Sequence, residues 1–406
     1  MLAKQVQSNY SKQQDHIKRL HRDSKGWITL AEILKGKFKQ HHYKLEQLLK
    51  KTFGDKDCYI SQNTFYKPSR RLENIKEIKA IYSDLDVLTK TKFTIEQILI
   101  RLEEEVFGTL LPKPNLIINS GRGLHLVWLI NPVPYKALPL WNAVQDYFYK
   151  QLKDLGADRK SLDATRVLRL IGTENSKSNT IVELLESHEY IYDLREIQQE
   201  YLPELSKLKN KKGRPAKTVF VFRERSLYYA RITDLVKLCE LREYNLKGCR
   251  EVILFLYRYW LCNFLNDADK ALEDTLSLNS EFICPLAEQE VIKATKSAER
   301  AFKSKDKQYK YKNKTLIELL GITEEEQINF ITIIDDDEYK RRKNERDKAK
   351  KKAKRRNENG LTSREQQKQN TINAVLKLKS QGLNNTQIAK NLNISRKHVS
   401  SVINKI

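Results

Sequence analysis

Short runs rich in β-branched and aromatic residues are concentrated between about residues 58 and 187 of this 406-residue chain. Runs such as CYISQNTFY, IKAIYSDLDV and LHLVWLI are bounded by Pro, Gly or Asn, which is typical of strands. Helical periodicity lies between them, for example in ALPLWNAVQDYFYKQLKDLG, and the residues before the first run also have a helical pattern. Strands interleaved with helices predict an α/β or α+β domain over residues 1–205.

Beyond residue 205 the pattern is helical and is interrupted by two charged segments. Residues 206–218 are a Lys-rich linker, and residues 219–334 form a predicted helical domain around a buried helix at VILFLYRYWL. Residues 335–360 are a charged linker, either a lone exposed helix or a disordered segment, because their composition cannot bury a core. Residues 361–406 form a predicted helix-turn-helix domain.

Positive charge is concentrated at the C-terminal end. The net charge of the chain is +24, and residues 340–406 hold 20 basic and 4 acidic residues. Such an excess favours a polyanionic partner, either nucleic acid or an anionic membrane surface. In the first linker, Lys212-Gly213-Arg214-Pro215 resembles the core of an AT-hook, which reads a narrow minor groove, and an ordinary solvated linker is the alternative.

Several classes of protein are excluded by what the sequence lacks. No apolar run approaches a membrane span and the N-terminus has no apolar signal-peptide core, so a cytoplasmic protein without a membrane partner is expected. The five cysteines include no C-x-x-C pair, which argues against a zinc ribbon or a disulfide framework. No G-x-x-x-x-G-K-[ST] motif occurs, so any helicase would have to come from another chain.

The strongest local signal is the segment AIYSDLDV at residues 80–87. On a strand, Asp84 and Asp86 point to the same side, while Leu85 points into the core. Two adjacent carboxylates repel each other unless a cation lies between them, so this pair is a candidate site for Mg²⁺ or Mn²⁺. Two solvated aspartates at the end of a strand are the alternative.

A second signal is NSGRGLHLVW at residues 119–128, a Gly-rich turn followed by a strand. Backbone N–H groups and Arg122 in such a turn form a nest that suits phosphate groups. The alternatives are an ordinary tight hairpin and a histidine, His125, with a purely structural role.

A third signal begins with GADRKSLD at residues 156–163, which contains two further carboxylates, Asp158 and Asp163. It continues with ATRVLRLIGTENSK, in which Arg166 and Arg169 enter a predicted strand. The alternative is a polar loop whose arginines are solvated or pair with these aspartates.

Together, the three segments resemble the catalytic core of the archaeo-eukaryotic primase superfamily, in particular the primases and replication proteins of plasmids and phages. That family has an apolar strand ending in D-x-D, then a Ser-x-x-x-x-His strand, then a third Asp ahead of an R-h-h-R-h-x-G-T-x-N-x-K segment. The three motifs occur here in that order within about 95 residues, and the resemblance covers roughly residues 55–200. One departure is Ile171, where the family often has Pro. The fold class implied is α+β, with mixed β-sheets and flanking helices.

The activity implied by the resemblance is DNA-templated nucleotidyl transfer with two Mg²⁺ or Mn²⁺ ions about 3.5–4 Å apart. One ion would activate the attacking 3′-hydroxyl, and the other would steady the triphosphate and the leaving group. The implied catalytic and metal-binding residues are Asp84, Asp86 and Asp158. Asp158 matches the family's third aspartate, whereas Asp163 is expected to orient Arg166 or the loop.

Nucleotide-binding residues are expected around the same site. The resemblance implies Ser120, Arg122 and His125 as contacts of the incoming triphosphate. Their positive charge makes Arg166, Arg169 and Lys177 further candidates for phosphate contacts. Lys67, Arg70 and Arg71 are candidates for contacts to template or primer, with an ordinary solvated loop as the alternative.

The last segment predicts binding to double-stranded DNA. NTQIAKNL and RKHVSSVINKI form two predicted helices joined by a short turn, with Ser395 as an N-cap. The exposed start of the last helix carries residues that could reach base edges or phosphates, namely Arg396, Lys397, His398 and Ser400. A helical hairpin used for protein contacts is the alternative. The residues expected to form its small core are Leu376, Ile388, Ala389, Leu392, Ile394, Val399 and Ile403.

The sequence therefore predicts a primase or primase-polymerase of a plasmid, phage or integrated mobile element, with single-stranded DNA template and nucleoside triphosphates as substrates. A replication initiator or regulator that has lost catalysis and acts through the C-terminal module is the alternative. A repair polymerase fits the core equally well but explains the helix-turn-helix less well. A transcription factor with an unrelated metabolic domain fits least.

Overall fold

The structure is a computed structural model that describes residues 2–205, 217–304 and 309–404. The chain divides between residues 333 and 334 into two compact units. The AT-hook-like tetrapeptide and most of the predicted linker 206–218 lie outside the described residues, and residues 217 and 218 begin a helix. Within the part of the chain that the structure describes, no helix is long and apolar enough to cross a membrane.

The strands of the first unit pair antiparallel in three groups. A central sheet has the strand order β11-β6-β7-β5-β4, an N-terminal sheet has the order β2-β1-β3-β8, and β9 pairs with β10. The strand bounds are β1 (Ile28–Leu34), β2 (Lys37–Tyr43), β3 (Cys58–Ser61), β4 (Thr64–Phe65), β5 (Ile75–Leu85), β6 (Leu116–Asn119), β7 (Leu124–Pro134), β8 (Val167–Arg169), β9 (Glu174–Asn175), β10 (Thr180–Ile181) and β11 (Glu183–Ser187).

Helices flank the sheets and make up the region after residue 216, so the fold class is α+β, as predicted. The helix bounds of the first unit are α1 (Leu2–His21), α2 (Leu45–Leu48), α3 (Val87–Lys90), α4 (Ile95–Arg101), α5 (Leu138–Leu152), α6 (Leu194–Tyr201), α7 (Lys217–Leu241), α8 (Arg250–Leu265), α9 (Ala268–Asn279), α10 (Glu288–Lys303), α11 (Asn313–Leu320) and α12 (Glu324–Gln327).

The two long strands β5 and β7 form the middle of the central sheet. Their register places Asp84 opposite His125 and Leu85 opposite Leu124. Since opposed residues of an antiparallel pair share a face, the first and second motifs are brought together by strand pairing alone.

Near its C-terminal end, β5 has a neighbouring strand along only one edge. Helix α5 covers the other edge there. The indole Nε1 of Trp141 donates to the carbonyl of Ala80 at 2.8 Å, and the side chain of Gln145 bonds both backbone groups of Tyr82. These side chains satisfy backbone groups that would otherwise be buried without partners. The edge of β5 is therefore held rigidly just before its two aspartates.

The helical region packs around α8, which is buried nearly all round, as its composition predicts. Tyr257 and Trp260 are fully buried, and α8 packs against α7, α9 and α10. The strand-bearing region and these helices belong to the same compact unit.

The second unit begins with an exposed basic helix, α13 (Asp336–Lys354), and ends in three packed helices, α14 (Ser363–Ser380), α15 (Asn385–Leu392) and α16 (Arg396–Ile403). Every residue of α13, all of them described, is at least partly exposed, so the exposed-helix alternative for the charged segment is the one present.

The three-helix core differs in two respects from the predicted set: it includes Val402 of α16, and Val375 takes the place of Leu376. Leu376 is 39 % exposed, and Val375 is the buried residue at that point of α14. The reason is that one residue along a helix turns a side chain by about 100°. The buried core residues are Val375, Ile388, Ala389, Val399 and Val402, with Leu392, Ile394 and Ile403 partly buried against them.

Candidate active site

A cleft of about 290 Å³ lies between the end of β5, the start of β7 and strand β8. Every residue predicted to bind metal or nucleotide lines this cleft, although the residues come from three separate segments of the chain. Those residues are Asp84, Asp86, Ser120, Arg122, His125, Asp158, Arg166, Arg169 and Lys177.

Asp158 reaches the cleft because its loop is attached to the end of β5. The backbone N–H of Asp158 donates to the carbonyl of Asp84 at 2.7 Å, and the N–H of Asp86 donates to the carbonyl of Gly156 at 3.0 Å. These bonds extend β5 by a short antiparallel bridge. The first and third motifs are therefore joined through backbone atoms, so the placement of Asp158 does not depend on its side chain.

Basic side chains accompany each of the three carboxylates. Arg166 Nη2 lies 3.4 Å from Asp84 Oδ2 and 3.7 Å from Asp158 Oδ2, so one guanidinium bridges two aspartates. Arg122 Nη2 lies 3.4 Å from Asp86 Oδ1, and Lys90 Nζ lies 3.0 Å from Asp158 Oδ1.

The ionisation of Asp158 follows from this pairing. Burial alone would raise the pKa of Asp158, but the hydrogen bond from Lys90 and the positive charges of Lys90 and Arg166 outweigh it. The net result is a pKa below the usual value for aspartate, so Asp158 is held as a carboxylate.

His125 is buried at the back of the cleft, with Nε2 3.6 Å from Asp84 Oδ1. Burial lowers its pKa, the charge of Asp84 opposes this effect, and the charges of Arg169 and Arg166 reinforce it. His125 is therefore a neutral imidazole. Among the described residues its Nδ1 has no hydrogen-bond partner.

The Gly-rich turn packs tightly against the end of β5. The N–H of Ser120 donates to the carbonyl of Gly123 at 2.9 Å, and the carbonyl of Ser120 accepts from Asn175 Nδ2 at 2.7 Å. The N–H of Leu88 donates to the carbonyl of Arg122 at 3.1 Å. This turn is thus anchored to the first and third motifs on both sides.

Arg169 and Lys177 occupy different positions in the cleft. Arg169 is 8 % exposed, pairs with Asp57 at 2.7 Å and lies 4.8 Å from the centre of the Tyr59 ring. Lys177 is exposed on the loop that follows β9. Arg169 is thus a fixed charge, whereas Lys177 is accessible at the mouth of the cleft.

Asp163 does not line the cleft. It is 8 % exposed, and its Oδ1 accepts hydrogen bonds from the N–H and the hydroxyl of Thr165, each at 2.8 Å. The N–H of Arg166 also donates to the Asp163 carbonyl at 3.0 Å. Asp163 therefore shapes the turn that leads into Arg166, while Asp158 faces the other aspartates.

The donor set suits a divalent cation. Asp84, Asp86 and Asp158 offer the hard oxygen ligands that Mg²⁺ and Mn²⁺ prefer, and all three line the same cleft. As the side chains stand, no group of three or more His, Cys, Asp or Glu among the described residues converges closely enough to hold a metal ion. Each carboxylate is instead paired with one of the cations described above.

Two of the three basic residues upstream of β5 differ from both sequence-based alternatives. Arg71 is buried, with Nε 3.0 Å from Glu73 and Nη2 2.7 Å from Glu281. Arg70 has only 8 % of its side chain exposed. Neither template contact nor a solvated loop describes these two side chains, because they are enclosed by neighbouring groups of the protein. Lys67 remains 62 % exposed while it pairs with Glu240 on α7 at 3.0 Å, as a solvated loop residue would.

The last helix of the second unit, α16, begins as predicted. Ser395 caps α16 by accepting a hydrogen bond from the N–H of His398 at 3.1 Å, and Arg396, Lys397 and His398 are exposed. Ser400 differs, because it is half-buried and its hydroxyl accepts from Asn385 Nδ2 at 3.3 Å. It lies at the flank of the buried face of α16.

Two cleft residues and one neighbour were not foreseen from the sequence. Tyr59 and Asn175 line the cleft, and Lys90 pairs with Asp158 beside it. Tyr59 could have been predicted to lie on the accessible face of its strand, since it alternates with the buried Cys58 and Ile60. Nothing local distinguishes Lys90 from other exposed lysines.

Comparison with known proteins shows the family to which the chain belongs. A replication protein of Clostridium perfringens is 58 % identical over 320 residues, which cover 79 % of this chain and 78 % of that protein. At this identity and coverage, the chain belongs to the family of that replication protein. No protein-family model matches the chain.

Three solved structures are similar to parts of the chain. The primase-polymerase domain of cyanophage S-2L is 17 % identical, with a TM-score of 0.35 over 47 % of this chain and 96 % of that one. The catalytic domain of primase RepB′ in complex with initiator DNA is 15 % identical, with a TM-score of 0.32 over 49 % and 100 %. A structure of primase RepB′ is 15 % identical, with a TM-score of 0.31 over 71 % and 99 %.

Proposed function

We propose that this replication protein catalyses DNA-templated nucleotidyl transfer, as a primase or primase-polymerase of a plasmid, phage or other mobile element. The observation that carries the proposal is the meeting of Asp84, Asp86 and Asp158 in one cleft with a set of cations and a neutral histidine. Three partly buried carboxylates repel one another and lose hydration, and here Lys90, Arg122 and Arg166 balance their charge, which a bound divalent cation would do more strongly.

The carboxylates and the arginines have complementary roles in this proposal. Asp84, Asp86 and Asp158 hold two Mg²⁺ or Mn²⁺ ions, which when bound would neutralise the triphosphate and activate the attacking 3′-hydroxyl. Arg122 and Arg166 lie within 3.4 Å of these carboxylates, so they are also within reach of phosphates bound beside them.

The remaining cleft residues bind and orient the nucleotide. His125 is neutral and buried, so it acts as a hydrogen-bonding group beside Asp84 rather than as a charge. Arg169 is fixed by Asp57 and presents a preset positive charge. Positioning and charge neutralisation dominate phosphoryl and nucleotidyl chemistry, so these residues need not exchange protons with the substrate.

The direct test is primer synthesis by the purified full chain with Mn²⁺ or Mg²⁺, single-stranded DNA, and ribo- or deoxyribonucleotides compared side by side. We expect short products from the wild type and none from the variant Asp84→Asn with Asp86→Asn. The matched control is Asp154→Asn, which removes an exposed carboxylate outside the cleft and should keep wild-type synthesis. Loss of products in the control as well would contradict the assignment of the cleft.

The second candidate function is that of a DNA-binding initiator without catalysis. A specific observation favours it: the C-terminal unit is compact by itself and presents Arg396, Lys397 and His398 at the capped start of α16. If wild type and the double aspartate variant are equally inert and both bind one duplex site tightly, the initiator function is correct and the primase function is wrong.

The proposed duplex contacts also predict a salt dependence. Deleting residues 340–406 should lower the affinity for DNA and reduce the slope of log K against log salt, because each phosphate contact contributes to that slope. Binding titrations at several salt concentrations measure it. An unchanged slope would show that this segment does not contact DNA.

A further inference from the structure

One arginine with a buried side chain, Arg70, connects the loop between Asp158 and Arg166 to the helical region. Arg70 itself lies in the segment before β5. Its Nη1 donates to the carbonyl of Thr165 at 2.7 Å, immediately before Arg166. Its Nη2 lies 3.5 Å from Glu273 on α9. One guanidinium thus joins the active-site loop to a helix more than a hundred residues later in the chain.

The same guanidinium also touches the N-terminal sheet. Its Nε donates to Gln40 Oε1 on β2 at 2.7 Å, and only 8 % of the Arg70 side chain is exposed. Arg70 therefore contacts three elements at once, namely β2, the loop and α9. A planar guanidinium suits this task because its donors point in fixed directions.

Charged groups of α9 continue the support beneath the loop. Lys270 Nζ lies 2.9 Å from Asp274 Oδ1, and both residues are buried. Burial and the charge of Arg70 lower the pKa of Lys270, but the negative charges of Asp274, of Asp163 in the loop and of Glu273 outweigh them and raise it overall. The turn that leads into Arg166 thus faces a positive charge from the helical region.

The other end of the loop meets α8. The guanidinium of Arg159, the residue after Asp158, lies against the side-chain amide of Asn266, the C-cap residue of α8. Both ends of the loop therefore contact the helical region, one beside Asp158 and the other beside Arg166.

We propose that Arg70 is a positioning residue of the active site, through which the helical region fixes the loop so that Asp158 and Arg166 face Asp84. The catalytic consequence rests on the proposed function. Thr165 is 1 % exposed. Loss of the Arg70 donor therefore leaves the buried Thr165 carbonyl without a hydrogen bond and makes the backbone next to Arg166 more mobile. Arg166 bridges Asp84 and Asp158, so its displacement disturbs both carboxylates.

The test compares Arg70→Ala with Lys67→Ala in the full-length protein. Lys67 is the matched control, since its ion pair with Glu240 also joins the strand-bearing region to the helices but does not touch the loop. We expect Arg70→Ala to lower kcat for primer synthesis about tenfold or more while leaving the Kd for single-stranded DNA unchanged. Arg70→Lys, which keeps one donor for the Thr165 carbonyl, should recover part of kcat.

A second readout needs no catalysis. Hydrogen exchange followed by mass spectrometry should show faster exchange in the peptide covering residues 158–170 for Arg70→Ala, with the strands β5 and β7 as protected as in the wild type. Glu273→Gln, a milder change that removes only the charge on α9, should give a smaller effect in the same peptide. Both measurements remain possible if Arg70→Ala folds poorly, because Glu273→Gln and Arg70→Lys retain most of the contacts.

The outcomes separate the two proposals. A wild type that makes no product contradicts the proposed function, while the exchange comparison still decides whether Arg70 fixes the loop. Wild-type kcat and wild-type exchange in Arg70→Ala overturn the positioning role. Loss of DNA affinity with kcat preserved at saturating DNA would instead establish Arg70 as a template contact and would also overturn it.

Discussion

Gly123 lies where the Gly-rich turn passes the end of β5, and no side chain fits there. A Cβ built on Gly123 would lie 1.8 Å from the carbonyl oxygen of Leu85 and 2.9 Å from the backbone nitrogen of Val87. Both are backbone atoms of the segment that carries the two adjacent aspartates. Neither can rotate away, so Gly123→Ala must push the turn and the strand end apart.

The size of this displacement follows from the contact distances. Ordinary van der Waals contact begins at 3.4 Å, so a contact of 1.8 Å requires a separation of roughly 1.6 Å. Overpacking of this kind costs about 1–3 kcal/mol, and a displacement of ~1 Å in a catalytic group can cost about 100-fold in rate. We expect Gly123→Ala to lower the free energy of unfolding by about 2 kcal/mol and the synthesis rate by about 100-fold.

Urea unfolding and initial rates of primer synthesis measure the two effects, the latter at a temperature where both proteins remain folded. Gly54→Ala is the control, because its new Cβ would come no closer than 3.3 Å to another atom, the Cys58 sulfur, and lies outside the cleft. If Gly123→Ala unfolds at the wild-type urea midpoint and synthesises at the wild-type rate, the close approach of the turn to β5 is wrong.

Three further changes test other parts of the molecule. Ser395→Ala removes the N-cap of α16 and should destabilise the C-terminal unit by about 1 kcal/mol. We expect a lower DNA affinity for this variant and an unchanged affinity for the control Ser401→Ala, which changes an exposed serine of the same helix. Burial, aided by the charge of Lys79, lowers the pKa of His21 to about 3 from 6.5, so the unfolded chain binds this proton more tightly and stability falls as pH drops below 6.5. When the pH is lowered from 7 to 5, the free energy of unfolding should fall by about 2 kcal/mol more in the wild type than in His21→Gln. Urea titrations at the two pH values measure this, and an equal fall in both proteins would contradict it. Asp57→Asn should leave Arg169 without its ion pair and raise the KM for nucleotide severalfold, and an unchanged KM would show that Asp57 does not hold Arg169 for the substrate.

Much of the candidate site could be predicted because its signals are local. The capping chemistry of Ser395 marked the start of α16. Strand alternation likewise predicted Asp84 and Asp86 on one side, and both line the cleft although β5 ends at Leu85. The sequence left open which carboxylate follows them in the cleft. Backbone bonds from Asp158 and Asp86 to the neighbouring segment settle the geometry, and no residue-type pattern encodes those bonds.

Other features depend on partners that are distant in the chain, and for those the local sequence is insufficient. Leu376 and Val375 are both apolar neighbours on α14, and only the packing against α15 and α16 selects which of them is buried. Tyr59 joins the cleft through the pairing of β3 with β8, which places it opposite Arg169. A contact of this kind spans about a hundred residues, so periodicity within one segment cannot reveal it.

Arg70 and Arg71 show the same principle for charge. In the sequence, basic residues beside a predicted catalytic strand favour a nucleic-acid contact. The sequence gives the position of each charge but not the distant acidic residue with which it pairs. In the structure, Arg71 is surrounded by Glu73 and Glu281, and Arg70 by Gln40, the Thr165 carbonyl and Glu273. A buried cation with such partners is costly to expose, since removing it from them leaves buried acceptors and carboxylates unpaired. Their positive charge therefore acts within the protein, whereas the cleft itself is lined by other cations, including Arg122 and Arg166 beside the aspartates and the exposed Lys177 at its mouth.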